Sequence, residues 1–235
     1  MADGVAPVAI IPARGGSKRL PRKNILPVGG KPMLAWPVQA CLDSGVFHSV
    51  IVSTDDDEIA TVAHKAGARI IIRPAEMATD TASEILAYQH VIETLAAEKI
   101  TPEFFCGVYP TAIFLSADDF KEAFQKIKET KADVVMGVSA YDLHPFKALE
   151  ETSGGHLKMV YPEWCLKRSQ LYPHYVASNG TLYFFRTQPF LQAPTYYPEK
   201  LAGYEIESSR VTDIDTEEDY KLAQFMMSYR KGNER

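Results

Sequence analysis

The chain is short of several things that would decide its class at once. Nowhere in its 235 residues is there an apolar run of the roughly 18 positions that a membrane-spanning helix needs. Its opening, MADGVAPVAIIPARGG, has no basic stretch followed by an apolar one, so no secretory signal is expected. Cysteine is scarce: Cys41, Cys106 and Cys165 stand far apart with no C-x-x-C. That argues against a disulfide framework or a zinc site and fits reduced thiols in a cytoplasm. Basic charge is not in excess either, because 25 Lys and Arg against 30 Asp and Glu leave a net −5. A nucleic acid polymer is therefore not the expected partner. What remains, at 46% hydrophobic and 23% charged residues, is ordinary globular composition of a length that suits one α/β domain spanning 1–235.

The modest net charge conceals a segregation. From Gly4 to Leu42 there is no acidic residue, yet Arg14, Lys18, Arg19, Arg22, Lys23 and Lys31 all fall there. Near the other end, residues 213–219 read D-I-D-T-E-E-D. A cationic loop and a carboxylate cluster in one small protein are what a polyphosphate with a divalent metal would require. Two solvated surface patches are the plain alternative.

Val8–Pro12 is too short for a helix and reads as a strand buried on both faces. A helix is expected between Pro32 and Gly45, bent or shortened by Pro37. Strands follow at 50–53, 68–72, 104–109 and 134–138. Helices are expected at 55–66, at 84–99 behind a Thr81/Glu84 capping box, and from the Ser116/Asp119 capping box to about 131. This alternation predicts a Rossmann-like, doubly wound, mostly parallel sheet. From about 139 to 185 the rhythm breaks into Pro, Gly and aromatic residues, which reads as an inserted β-rich lobe. A last helix is expected from Thr216 to about Arg230, with Leu222, Phe225 and Met226 on its apolar side.

Ligands of open α/β sheets sit at the carboxyl ends of strands. The loop after the first strand, A-R-G-G-S-K-R-L-P-R-K-N at 13–24, is in that place. Gly15 and Gly16 let the backbone turn and bring N–H groups near a phosphate. Arg14, Lys18 and Lys23 add charge for phosphates, and Asn24 has the groups to read a base edge or a ribose hydroxyl. Neither G-x-G-x-x-G nor G-x-x-x-x-G-K-[S/T] is present, since Gly30-Lys31 is followed by Pro32.

The run I-I-P-A-R-G-G-S-K-R-L-P-R-K-N resembles the signature loop of the CMP-sialic acid synthetases, the acylneuraminate cytidylyltransferases. V-S-T-D-D-D-E-I-A (52–60), R-P-A-E-M-A-T-D-T-A-S (73–83) and D-I-D-T-E-E-D (213–219) are similar to further blocks of that family, in the same order. The resemblance implies a nucleotidyltransferase-type fold and an enzyme that joins CTP to the anomeric hydroxyl of a nine-carbon 2-keto acid sugar. The products would be CMP-sugar and pyrophosphate. By that resemblance Ala13, Arg14, Gly15, Ser17, Lys18 and Lys23 cradle the triphosphate, while Asn24, Arg73 and Ser83 face cytosine and ribose. Arg14, Lys18, Lys23, Asp213 and Asp215 form the catalytic set, with Asp213 and Asp215 as ligands of Mg²⁺. Strand-like alternation would point both carboxylates the same way; helix capping before Thr216 is their alternative role. Tyr109, Lys147, Arg168 and Asn179 are implied at the sugar site, Arg168 being the better partner for a carboxylate. A homodimer, with the inserted lobe reaching the other subunit's sugar site, follows from the same family.

The sequence also departs from the pattern of the family it resembles. Y-P-T-A-I-F-L at 109–115 stands where many sialic acid synthetases have Q-P-T-S-P-L-R, which implies a more apolar sugar pocket. This version resembles synthetases for bacterial nonulosonates such as pseudaminic acid, whereas residues 73–83 lean toward the sialic and legionaminic branch. The alternatives are a cytidylyltransferase for 3-deoxy-manno-octulosonate, another sugar nucleotidyltransferase, or a catalytically silent nucleotide-binding protein.

Overall fold

The computed structural model describes residues 5–78 and 83–233. In chain order the elements are β1 (Val8–Pro12), β2 (Pro27–Val28), β3 (Lys31–Pro32), α1 (Ala35–Ser44), β4 (Ser49–Thr54), α2 (Asp57–Lys65), β5 (Arg69–Ile72), α3 (Glu84–Ala97) and β6 (Phe104–Val108). They continue with α4 (Ala117–Thr130), β7 (Val134–Ala140), β8 (Leu149–Glu151), β9 (Leu157–Met159), β10 (Val176–Arg186), α5 (Thr187–Gln192), β11 (Leu201–Glu205) and α6 (Glu217–Asn233).

Seven strands form one sheet in the order β11-β7-β10-β6-β1-β4-β5. All pairings are parallel except those of β10, which runs antiparallel between β6 and β7. The central strands are apolar at every position because helices cover both faces; β1 and β6 are buried throughout. One core layer packs α1, α2 and α4 on the sheet through Leu34, Val38, Ile59 and Phe120. The other packs α3 and α5 through Tyr88, Val91, Leu95 and Phe190. Among the described residues no helix is long and apolar enough to cross a membrane.

Local chemistry explains the boundaries. Gly45, at φ 65°, ends α1 in the left-handed region. Pro37 falls in the first turn of α1, where its missing N–H costs little, so the helix simply starts later than Pro32. Ser116 and Asp119 close the expected capping box on α4. Thr81 lies outside the described residues, and Ser83 is the cap of α3, accepting from Ile85 N–H at 3.2 Å.

Two expectations are corrected. Residues 176–186 do not belong to an inserted lobe, because β10 sits in the middle of the main sheet with Phe184 and Phe185 fully buried. The β character expected there is present, but composition does not say which sheet a strand joins. The insertion between β7 and β10 is therefore residues 141–175. Its only sheet among the described residues is the short β8–β9 pair. On α6, Leu222 and Phe225 are exposed, whereas Met226 packs against the core as expected beside the buried Ala223 and Met227.

Candidate active site

A cavity of about 330 Å³ opens at the carboxyl edge of the sheet. The loop after β1 lines it with Arg14, Ser17, Lys18, Arg19, Lys23 and Asn24, and residues after β5 and β6 add Arg73, Tyr109, Pro110 and Thr111. Glu84 at the start of α3 and Asp213 and Asp215 ahead of α6 supply its carboxylates. Chain segments nearly 200 residues apart thus share one hollow, of a size usual for a small-molecule site.

The two charge clusters meet directly. Asp215 accepts from Lys23 Nζ at 2.8 Å and from Arg19 Nη2 at 2.5 Å. Burial raises the Asp215 pKa, but these two cations outweigh it and hold the carboxyl below its ordinary range. Asp213 goes the other way, raised by burial and then by the charge of Asp215, and it makes no hydrogen bond or ion pair with the described residues. Between them Ile214 is fully buried against Leu20, Met33, Phe114 and Met227. That inward anchor turns both aspartates to the cavity. Helix capping is done by others: Thr216 and Asp219 form the box that starts α6. Arg210 fastens the preceding segment, pairing with buried Asp119 and donating to the Phe114 carbonyl at 3.2 Å.

On the opposite wall the loop after β1 is gripped by two consecutive aspartates. Asp56 caps α2, accepting from Ile59 N–H at 2.9 Å, and receives two hydrogen bonds from Arg22 at 2.5 and 3.0 Å. The Arg22 hydrogen bond holds the Asp56 carboxyl at about 2 despite opposing burial. Arg22 also pairs with Glu58 and sits at φ 58°, a conformation that costs a non-glycine residue about 1 kcal/mol and is held here by those ion pairs. Asp55 accepts from Gly15 N–H at 3.1 Å. A Cβ on Gly15 would come within 2.6 Å of Asp56 Oδ2, so only glycine fits. Arg73 is 6% exposed, its Nε has no partner, and its nearest carboxylate oxygen is Asp55 Oδ1 at 3.9 Å. Burial pulls its pKa down, opposed by the charge of Asp55.

The structure sorts the expected site residues into three groups. Arg14, Ser17, Lys18, Lys23, Asn24, Arg73, Tyr109, Asp213 and Asp215 all line the cavity. Ala13, Gly15 and Ser83 are close by in sequence but serve the frame. Ala13 is buried with its N–H on the Ser53 carbonyl, Gly15 gives its N–H to Asp55, and Ser83 caps α3. Asn24 also commits one group to the frame, donating Nδ2 to the Arg14 carbonyl at 3.0 Å. Lys147, Arg168 and Asn179 lie outside the lining. The first two are exposed on the insertion, and Asn179 bonds Ser139 and Thr181 beside β7.

The segment 109–115 also differs from expectation. Ala112, Ile113, Phe114 and Leu115 are buried core under the site, and only Tyr109, Pro110 and Thr111 face the cavity. Its apolarity therefore serves packing more than the pocket wall. Arg19, Met77, Glu84 and Thr111 also line the cavity; they lie in stretches singled out in the sequence but were not expected at the site by name, and the Arg210–Asp119 clamp had no local signal beyond the capping box at Ser116. Among the described residues no group of three or more His, Cys, Asp or Glu is arranged to hold a metal ion. Asp213 and Asp215 offer two hard oxygen donors beside a cationic cavity. This fits Mg²⁺, which commonly takes one or two carboxylates and completes its shell with phosphate oxygens and water.

Comparison with known proteins gives consistent matches. The family model described as Cytidylyltransferase matches residues 8–229. The pseudaminic acid cytidylyltransferase of Campylobacter jejuni is 30% identical over 220 residues, covering 93% of this chain and 95% of that one. N-acylneuraminate cytidylyltransferase A of Danio rerio is 31% identical over 92% of this chain, which spans 49% of that longer protein. In three dimensions, a CMP:2-keto-3-deoxy-manno-octonic acid synthetase solved with CTP superposes with a TM-score of 0.69 over 96% of this chain and 99% of its own, at 19% identity. That last likeness speaks for the fold.

Proposed function

The chain belongs to the cytidylyltransferase family, and we propose that it transfers CMP from CTP to the anomeric hydroxyl of a nine-carbon 2-keto acid sugar of the pseudaminic or sialic type. One observation carries the reading. The basic loop after β1 and the Asp213/Asp215 pair face each other across one cavity, joined by Lys23 and Arg19 on Asp215. The names of the 30% and 31% identical relatives support a nonulosonic acid as acceptor.

In such a transfer the acceptor oxygen attacks the α-phosphorus. One P–O bond forms while the bond to the bridging oxygen of the departing pyrophosphate breaks. The protein has charge to screen and groups to align, and little covalent chemistry to do. Arg14, Lys18 and Lys23 hold the triphosphate on one wall, and buried Arg73 supplies a fixed cation on the adjacent wall. Asp213 and Asp215 are the residues that would hold Mg²⁺, which supplies screening of phosphate charge and stabilisation of the leaving group. Tyr109, Pro110 and Thr111 at the end of β6 border the acceptor.

The acceptor's carboxylate is assigned to Lys147 and Arg168 of a second copy. Both stand outside the cavity of their own chain, on an insertion that exposes Leu143, Leu157, Leu166 and Leu171. A homodimer built through 141–175 would cover those side chains and bring the two cations to the neighbouring site. Sedimentation is expected to give twice the chain mass. We place the reaction in the cytoplasm, in keeping with the free thiols of Cys41, Cys106 and Cys165.

A product screen tests the proposal. Each of CTP, UTP, GTP and ATP is offered with sialic, legionaminic, pseudaminic and 3-deoxy-manno-octulosonic acids, and products are read by mass. CMP-sugar is expected only with CTP and a nonulosonic acid; preference for UTP, GTP or the octulosonic acid would overturn it.

A further inference from the structure

Asp55 stands at the end of β4, outside the lining of the cavity, yet touches two of the groups that shape it. The same oxygen, Oδ1, accepts the Gly15 N–H at 3.1 Å and is the nearest carboxylate oxygen to Arg73 Nη2, at 3.9 Å. Gly15 lies between Arg14 and Ser17, both of which line the cavity. Arg73 is 6% exposed, with an unpartnered Nε, and Asp55 itself is only 24% exposed. The loop after β1 and the residue after β5 have no strand between them except β4, since the sheet order there is β1-β4-β5. Asp55 is thus the bridge across β4 between two parts of one binding surface. Asp56, its neighbour, grips the same loop through Arg22 and caps α2.

We propose that Asp55 is a positioning residue for the nucleotide, holding the Gly15 corner and the Arg73 guanidinium in register so that both meet one triphosphate-bearing ligand. This rests on the cytidylyltransferase reading above. Electrostatics alone makes the opposite forecast. A carboxylate beside an anion site repels the anion, so a merely solvated Asp55 would weaken nucleotide binding and its removal would strengthen it. The sign of the change separates the two roles.

The test is calorimetric titration of CTP, with steady-state rates, on wild type, Asp55→Asn and Asp55→Ala. Asparagine keeps an acceptor for Gly15 N–H and drops the charge facing Arg73, whereas alanine drops both. Expected results are CTP binding weakened about tenfold in Asp55→Asn and further in Asp55→Ala, the size of a lost charge-assisted contact. Turnover at saturating CTP and the acceptor KM should stay within about twofold, since the bridge acts on binding of the nucleotide. In an Arg73→Ala background, Asp55→Asn should have a smaller effect than in wild type, because the two act as a pair. Unchanged or tighter CTP binding in Asp55→Asn, with an unchanged melting temperature, would overturn the proposal. Wild type that binds no CTP would instead defeat the cytidylyltransferase reading, so the two failures are distinct.

Discussion

The carboxyl edge of the sheet and the 141–175 insertion both carry cations expected to meet substrate, but they are held in opposite ways. At the sheet edge the groups in and around the cavity are tied into the frame at several points. Asp215 is paired with Lys23 and Arg19, Arg22 with Asp56, Arg210 with Asp119, and Ile214 is sunk in the core. The insertion has a small core of its own, with Phe146 stacked on Trp164 at 4.1 Å and His144, Tyr172 and Tyr175 around it. His144 there caps a short turn and meets the Pro173 carbonyl through Nε2, a structural role. Lys147 and Arg168, the cations proposed to meet the acceptor, are exposed, and so are several leucines. On the function proposed above, one end of the site would be complete in a single chain and the other completed by a second copy.

The largest expected effect breaks the sheet-edge end. Asp213→Asn and Asp215→Asn should each lower turnover by about a thousandfold, the scale of losing a principal charge stabiliser, in assays with CTP and acceptor. Their stabilities should diverge. Asp213 is an acid whose folded pKa is raised by burial and by Asp215, so its neutral isostere should leave the melting temperature unchanged or slightly higher. Asp215 loses two ion pairs and should melt lower. Near-normal turnover in both variants would remove the metal assignment.

A smaller effect is expected on the insertion. Lys147→Ala and Arg168→Ala should each raise the acceptor KM about tenfold, the worth of one charge-assisted contact, with CTP binding unchanged by titration. If CTP binding fell instead, the division between the two ends would be wrong.

The same comparison explains what was legible in the sequence. The sheet edge could be read because short-range rules fix its parts. The apolar Val8–Pro12 strand, the glycine corner at Gly15 and the Asp213-Ile214-Asp215 alternation all state their direction locally. Residues whose role depends on a distant partner could not be read. Arg210 needs Asp119, 91 positions away. Ser83 and Asn24, expected at the nucleotide, also serve the frame: Ser83 caps α3, and Asn24 gives Nδ2 to the Arg14 carbonyl while its Oδ1 keeps no partner among the described residues. The placement of β10 escaped for a related reason, since a strand that returns antiparallel after an insertion looks in sequence like part of that insertion.

The smallest expected effect concerns the latch at Arg22. Asp56 has a folded pKa of about 2 against an ordinary 3.8, so its ion pair contributes fully above about pH 4 and is lost as pH falls through 2. With Arg22 partly exposed, the contribution is about 1 kcal/mol after solvent screening. Chemical denaturation across pH 2 to 5 should show that loss in wild type. Asp56→Asn keeps the cap on α2 and should show a shallower one.

The division between the two ends is tested most directly by titrating CTP, without acceptor, into wild type and into Phe146→Ala, which removes the centre of the insertion's aromatic core. One CTP per chain with the same affinity in both is the predicted result. Failure of wild type to bind CTP, or loss of CTP binding in Phe146→Ala, would contradict the claim that the nucleotide site is complete at the carboxyl edge of the sheet.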